Sequence, residues 1–274
     1  MPEERSERNS NEMGMGGLNF PTAWLALNNR NGFRAFQCFL EHFPYIRLAG
    51  LLVHPKEKAR FREEILSLCS LPSERIIEWK KGMDLDQFAC FWNEFSKSLL
   101  LSVNFGYLFP GKFLSRFSMA LNLHTGFLPW NRGSHPNVWP FLDGSPAGVT
   151  LHEMVEEVDA GRIIFQEKVE IQPDDDAKSL YQKLEDLSPT VLEKGLGGLL
   201  EGSAIPFVPS EKGSHHTHRD FRELCTIEME ENFSGAQWIA RMKALSFPPF
   251  RNAFFFEGGK KIYMEASFFQ GEND

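Results

Sequence analysis

The chain is poor in positive charge. Its 29 Lys and Arg stand against 37 Asp and Glu, a formal net charge of −8 over 274 residues. A protein whose main partner is a polyanion carries the opposite balance, so nucleic acid is not an expected partner. Cysteine is scarce too. Cys38, Cys69, Cys90 and Cys225 show no paired spacing, which offers no disulfide framework and suits free thiols in a reducing cytoplasm. No apolar run reaches membrane-spanning length, and the first 20 residues lack an apolar signal region. Neither a membrane partner nor a signal peptide is therefore expected, and the localisation expected is cytoplasmic. Residues 1–20 read as a disordered arm. Their Met13-Gly14-Met15-Gly16-Gly17 run precedes the first strand instead of following it, which excludes a phosphate loop.

What is present is a packed, soluble composition, 42% apolar and 24% charged, with 26 Phe. Most of those rings belong in a core, and the excess suits stacking on flat ligands. Apolar runs at Ala23–Leu27, Ile46–Val53, Arg75–Ile77, Ser98–Val103 and Phe117–Leu121 read as strands. Helical patterns lie between them, at Phe33–Phe43 (Phe33, Phe36, Phe39, Leu40 and Phe43 on one face), Pro55–Cys69 and Leu85–Lys97. Ser98–Val103 is the continuous kind of strand buried on both faces. The alternation predicts an α/β fold with a mostly parallel, doubly wound sheet. A long amphipathic helix follows at Asp176–Leu200, a linker at Glu201–Arg219, a helix at Ser234–Leu245, and a hairpin of Asn252–Phe256 and Lys260–Glu265 around Gly258-Gly259. So apolar a hairpin needs a partner, either the main domain or a second subunit. The expected division is an arm at 1–20, a catalytic domain at 21–205, and a linker with a small C-terminal α+β segment at 206–274.

The chemistry concentrates around Asn122, His124 and Asp159. Moving an acyl group between nitrogens passes through a tetrahedral intermediate whose oxygen gains charge, and the Asn122 amide offers it an N–H. Histidine titrates near neutrality, so His124 can take the attacking amine's proton and return one to the leaving nitrogen. Asp159 can orient the imidazole and relay protons through water. Asn122 and His124 lie two apart near a strand's C-terminal end, on one face, where open α/β sheets put their ligands. The Gly- and Pro-rich stretch after them is a structured loop. Asp159 must return to His124 through the fold. His215, His216 and His218 lack a Cys or carboxylate at ligand spacing, so no metal is expected there and a substrate-contacting or solvated loop is the simpler reading.

In order, the chain shows Asn122, His124, Leu128-Pro129, Arg132-Gly133, Pro136, Trp139, Gly148-Val149-Thr150, His152, Asp159 and Gly161. This series resembles the formyltransferases that use N10-formyltetrahydrofolate, specifically over about residues 98 to 170. Many members have Pro-Ser where Thr125-Gly126 stands and Leu where Phe127 stands; a Gly at that loop position is familiar in members acting on sugars. The resemblance implies a Rossmann-like domain without the dinucleotide fingerprint. It implies a folate pocket lined by Gly106, Tyr107 and Leu108 after the buried strand, and closed by the stretch from Met154 through Val158 to Asp159. It implies that Asn122, His124 and Asp159 carry the transfer, with the folate as formyl donor and no metal.

The acceptor amine follows from the tail. Residues 206–274 carry a net charge of −2, unlike a tRNA-binding tail. Phe247-Pro248-Pro249 with the hairpin, and Leu128 to Gly133, are similar to nucleotide-sugar N-formyltransferases, among them the pseudaminic acid pathway type. That resemblance implies a UDP- or dTDP-linked amino-deoxy sugar as partner, and a homodimer. Asn29, Arg30 and Asn31 of the first strand-to-helix turn are candidates for its binding, with Arg132, which serves equally as a brace for its own loop. A methionyl-tRNA formyltransferase-like enzyme and a non-catalytic folate- or nucleotide-sugar-binding protein remain as alternatives.

Overall fold

The structure, a computed structural model, describes residues 18–271. The expected arm lies outside them except for Leu18 to Phe20, and the Met13–Gly17 run lies outside them entirely. Phe20 is already part of the core, 2% exposed, so the packed chain begins just before the expected boundary at 21.

Seven strands form the central sheet: β1 (Thr22–Leu27), β2 (Arg47–Val53), β3 (Ile76–Glu78), β4 (Ser98–Val103), β5 (Met119–His124), β6 (Ala147–Glu153) and β7 (Ile163–Val169). Their order across the sheet is β3-β2-β1-β4-β5-β6-β7. The first five pair in parallel, and β6 and β7 pair antiparallel. Strand alternation divides the apolar residues between two layers. On one face Leu25, Leu27, Leu99 and Leu101 pack beneath α1 (Asn29–His42) and α2 (Ala177–Glu201). On the other, Trp24, Ala26 and Leu100 meet a cluster built from Phe88, Phe95, Phe109, Phe113 and Trp79. That layer accounts for much of the Phe excess: its rings are core. Phe36 and Phe39 of α1 and Phe43 at its C-terminal cap are buried as the periodicity requires, while Leu40 turns outward.

Two expected helices are shorter than their patterns. Of Pro55–Cys69 only Arg62–Ser67 is helical. Tertiary bonds hold the rest: the Arg60 N–H donates to Asn28 Oδ1 at 2.9 Å, and Phe61 adopts a left-handed φ of 57°. Leu85–Lys97 is a 3₁₀ turn over Leu85–Phe91 followed by one α-turn over Trp92–Phe95.

The segment from 201 is not a free linker. Arg132–Gly133 pairs in parallel with His215–His216, and the His216 ring stacks on Trp139 at 3.9 Å. Two further helices, α3 (His218–Cys225) and α4 (Gly235–Leu245), and the hairpin β8 (Phe254–Glu257) and β9 (Lys260–Tyr263) complete the chain. The hairpin shares a small core with Cys225, Ile227, Met242 and Leu245. Among the described residues no helix is long and apolar enough to cross a membrane.

Candidate active site

The carboxyl ends of β1, β4 and β5 form one edge of the sheet, and the chemistry-bearing side chains gather there. His124 is the last residue of β5. Because β6 runs antiparallel to β5, Asn122 stands opposite His152, and His124 opposite Thr150. Asn122 Nδ2 lies 3.3 Å from His152 Nε2, and His152 Nδ1 lies 2.8 Å from the Glu153 carbonyl. A carbonyl only accepts, so Nδ1 carries a proton, and Nε2 faces the Asn122 amide. An Nδ2 proton remains for another oxygen.

Asp159 returns in the β6–β7 connection, with a left-handed φ of 51°. Two residues on, a Cβ on Gly161 would lie 1.9 Å from the Glu153 carbonyl. Only glycine lets that connection close and bring the carboxylate back. Asp159 Oδ1 then lies 3.4 Å from His152 Nε2, and Oδ2 lies 3.6 Å from His124 Nδ1. The Gly133 N–H donates to Oδ2 at 2.9 Å. Burial alone would push the carboxyl up. The His124 and His152 rings beside it and the Gly133 N–H together outweigh that, and hold Asp159 well below the usual carboxylate range.

The loop after β5 fixes the other side of His124. Its Nε2–H donates to the Asn131 carbonyl at 3.1 Å. Asn131 is fully buried; its Nδ2 donates to Ser145 Oγ at 2.9 Å and its N–H to Ser214 Oγ at 2.9 Å. Thr150 Oγ1 donates to the Gly126 carbonyl at 2.7 Å and accepts from the Leu128 N–H at 3.1 Å. A Cβ on Gly126 would stand 2.4 Å from His124 Nε2, so the glycine makes room for the imidazole.

The structure therefore brings Asn122, His124 and Asp159 together and adds His152 to them. The folate-side residues fall into two stretches. Tyr107 packs at 4.7 Å on His54, and Met154 joins Tyr107 against the same aromatic cluster. Gly106 has a left-handed φ of 68°, Val158 is half-buried, and Leu108 is 74% exposed, an apolar side chain held in solvent.

The four candidates for the acceptor divide. Asn29 and Arg30 line a cavity of about 470 Å³, together with Arg60, Tyr181 and Glu185. Asn31 is fully buried and its Nδ2 donates to Asn104 Oδ1 at 3.2 Å, so it braces the β1 and β4 ends instead of lining that cavity. Arg132 pairs with Glu157 at 2.9 Å and is not among the residues that line that cavity. Glu185 faces Arg30 at 3.7 Å; burial raises its carboxyl against the pull of Arg30 and Arg34. Arg60, Tyr181 and Glu185 were not singled out from sequence. Arg60 sat inside a pattern read as helix, and the other two sat on a face of the long helix that reads as ordinary amphipathicity.

Known proteins resemble this chain in sequence and in fold. A family model described as formyl transferase matches residues 81–196, and one described as N-formyltransferase dimerization C-terminal domain matches residues 220–268. A dTDP-4-amino-4,6-dideoxyglucose formyltransferase from Mycobacterium bovis is 30% identical over 167 residues, covering 61% of this chain and 71% of that protein. A methionyl-tRNA formyltransferase from Lactobacillus acidophilus is 36% identical over 107 residues, 38% of this chain and 34% of that one. The crystal structure of a 4-N formyltransferase from Francisella tularensis shares the fold, with a TM-score of 0.77 at 22% identity over 91% of this chain and 98% of that one.

Proposed function

Because this chain belongs to the formyltransferase family and is an N-formyltransferase, we propose that it formylates the amine of a nucleotide-linked amino-deoxy sugar with N10-formyltetrahydrofolate as donor. The observation that carries the reading is the Asp159 carboxylate, 3.4 Å from His152 and 3.6 Å from His124, beside the Asn122 amide. The amine attacks the formyl carbon directly. Asn122 donates to the oxygen that becomes negative. His124 takes the proton from the amine and returns one to the folate N10 as the old carbon–nitrogen bond breaks, so the new amide forms without an acyl-enzyme. With Nε2–H on the Asn131 carbonyl, His124 takes the amine's proton on Nδ1, and Asp159, 3.6 Å away, stabilises the imidazolium that forms. The folate lies between Gly106-Tyr107-Leu108 and the stretch from Met154 through Val158 to Asp159, where the exposed Leu108 side chain gains cover.

A sugar acceptor is supported by the mycobacterial relative, whose name states a dTDP-linked 4-amino sugar, and by the acidic tail. The cavity suits the acceptor's diphosphate. Arg30 and Arg60 line it, and α1 begins at its edge with no acidic residue in its first turn. The pseudaminic acid pathway is the finer assignment, and it rests on the sequence resemblance. We also propose a homodimer through the C-terminal segment, supported by the match to a dimerization domain.

The test incubates the protein with N10-formyltetrahydrofolate and a panel of UDP- and dTDP-linked 3-amino and 4-amino sugars, read by mass spectrometry. One sugar gaining a formyl group is the expected result. Deformylated folate with every sugar unchanged refutes the sugar assignment, and tRNA formylation under the same conditions replaces it with the methionyl-tRNA reading.

A further inference from the structure

The cavity beside Asn29 and Arg30 has a wall contributed by the C-terminal segment. Phe221, Ala244, Phe247, Phe250 and Asn252 line it, and all five fall within the stretch matched to a dimerization domain. This wall is anchored to the main domain. Phe221 and Phe247 pack with Val138, Trp139, Ala177 and Ala244 in a small core of their own. Phe250 is 48% exposed, with the Arg60 guanidinium 5.7 Å from its ring centre. Phe250 lines the cavity, so its exposed ring is offered to a ligand there.

Two amides beside it have fixed orientations. Asn252 Nδ2 donates to the Leu245 carbonyl at 3.1 Å, and Asn137 Nδ2 donates to the Ala177 carbonyl at 2.8 Å. Each is therefore committed to a backbone acceptor through its nitrogen, which leaves Oδ1 as an acceptor for a ligand. The cavity thus combines an aromatic face, oriented acceptors and, at Arg30 and Arg60, positive charge. Its volume of about 470 Å³ falls in the usual range of small-ligand sites, roughly 300–1,000 Å³.

We infer that this wall reads the base of a nucleoside diphosphate. Phe250 stacks on the flat heterocycle, and Asn252 Oδ1 accepts a ring N–H. Uracil and thymine carry that donor between two carbonyls. Cytosine presents a lone pair at the same place, which would face the Asn252 oxygen unfavourably. The C-terminal segment is then a specificity element as well as a docking module. The inference rests on the reading of the acceptor as nucleotide-linked.

Calorimetric titration of the full chain with UDP, dTDP and CDP, in the absence of folate, tests it. The wild type should bind UDP and dTDP at least about tenfold more tightly than CDP. Phe250→Ala should weaken UDP binding by about tenfold, the scale of one base–aromatic stack, and Phe250→Tyr should restore it. Phe250→Leu keeps apolar volume without a ring, so its loss of affinity at an unchanged melting temperature separates stacking from folding. Asn252→Ala should narrow the gap between UDP and CDP. Wild-type protein that binds CDP as well as UDP, or folded Phe250 and Asn252 variants that bind UDP unchanged, overturns the base-reading wall alone. Wild-type protein that binds none of the three overturns the nucleotide-linked acceptor as well.

Discussion

Asn122 and His152 are direct partners across the antiparallel β5–β6 ladder, and their side chains meet at 3.3 Å. The reversal of β6 thus does more than finish the sheet. It places an imidazole between the amide of Asn122 and the carboxylate of Asp159, 3.4 Å from the latter. Its Nδ1–H is held by the Glu153 carbonyl, so Nε2 is always turned toward the pair.

His152 is therefore expected to act as a positioning residue for both. His152→Gln should lower kcat by roughly 10- to 100-fold, the scale on which partners that orient reactive groups act, with a smaller change in the acceptor's KM. Steady-state kinetics on a folded variant decide it. A kcat equal to wild type would remove His152 from the machinery.

Asn122 is expected to contribute through the charge that develops on the formyl oxygen. Asn122→Ala should cost on the order of 10²–10³ in kcat, as the loss of one such donor does, with folate binding nearly unchanged. Equal losses in binding and turnover would instead mark Asn122 as a ground-state contact.

Gly126 makes a sharper test of the loop. With a Cβ 2.4 Å from His124 Nε2 and 3.2 Å from the Asn131 carbonyl, Gly126→Ala forces the imidazole or the loop to move. Turnover should fall by at least about tenfold, since small misplacements of reacting groups carry large kinetic costs. Wild-type kinetics from Gly126→Ala would show that the loop yields freely and that His124 is not held by it.

Legibility of the fold followed burial. β1 and β4 are buried at every position and stand out as continuous apolar runs, so their boundaries were readable to within about one residue. The stretch 55–61 was not readable. Its charged pattern suits a helix, yet Asn28 and a left-handed Phe61 capture its backbone from a distance, and distant partners leave no local periodicity. Within the site, Asn122 and His124 were readable because their spacing is local to one strand. The approach of His152 depends on a register between two strands, and the separation of Asn29 and Arg30 from Asn31 depends on how a single turn rotates at the end of β1. The contacts of the linker were hidden for a related reason. Its glycines, serines and histidines look solvated, but Ser214 and His216 meet Asn131 and Trp139 across the fold.

His135 provides a pH-dependent test of the cavity wall. Its ring stacks on Phe221 at 3.8 Å, and burial, with the charge of His218, pushes its pKa down to about 4. The folded state thus holds fewer protons than the unfolded state between about pH 6.5, the ordinary value, and pH 4. Stability is full above that window and falls as pH drops through it. His135→Phe keeps a ring against Phe221 and removes the titration, so its stability curve should be flatter between pH 6.5 and 4. Denaturant midpoints measured across that window check the slope, and identical slopes for the two proteins would refute the assignment.

The hairpin bears on assembly. Phe254 and Phe255 turn into the small core around Cys225 and Leu245, whereas Phe256 is 58% exposed and Tyr263 46% exposed, with Ile262 beside them. A two-stranded ribbon with this much apolar surface is marginal by itself in water. Its match to a dimerization domain suggests that a second copy covers those side chains. Phe256→Glu with Tyr263→Glu places two charges on that surface; both rings also pack edge-on against Phe254, at 5.7 and 5.9 Å, so a melting curve first verifies that each protomer folds. Sedimentation equilibrium should show a dimer for the wild type and a monomer for the double variant at the same concentration. An unchanged dimer would place the interface elsewhere on the chain. Because Phe250 and Asn252 lie just before β8 in sequence, nucleotide affinity measured on the monomer then tells whether the cavity wall holds its shape without the partner.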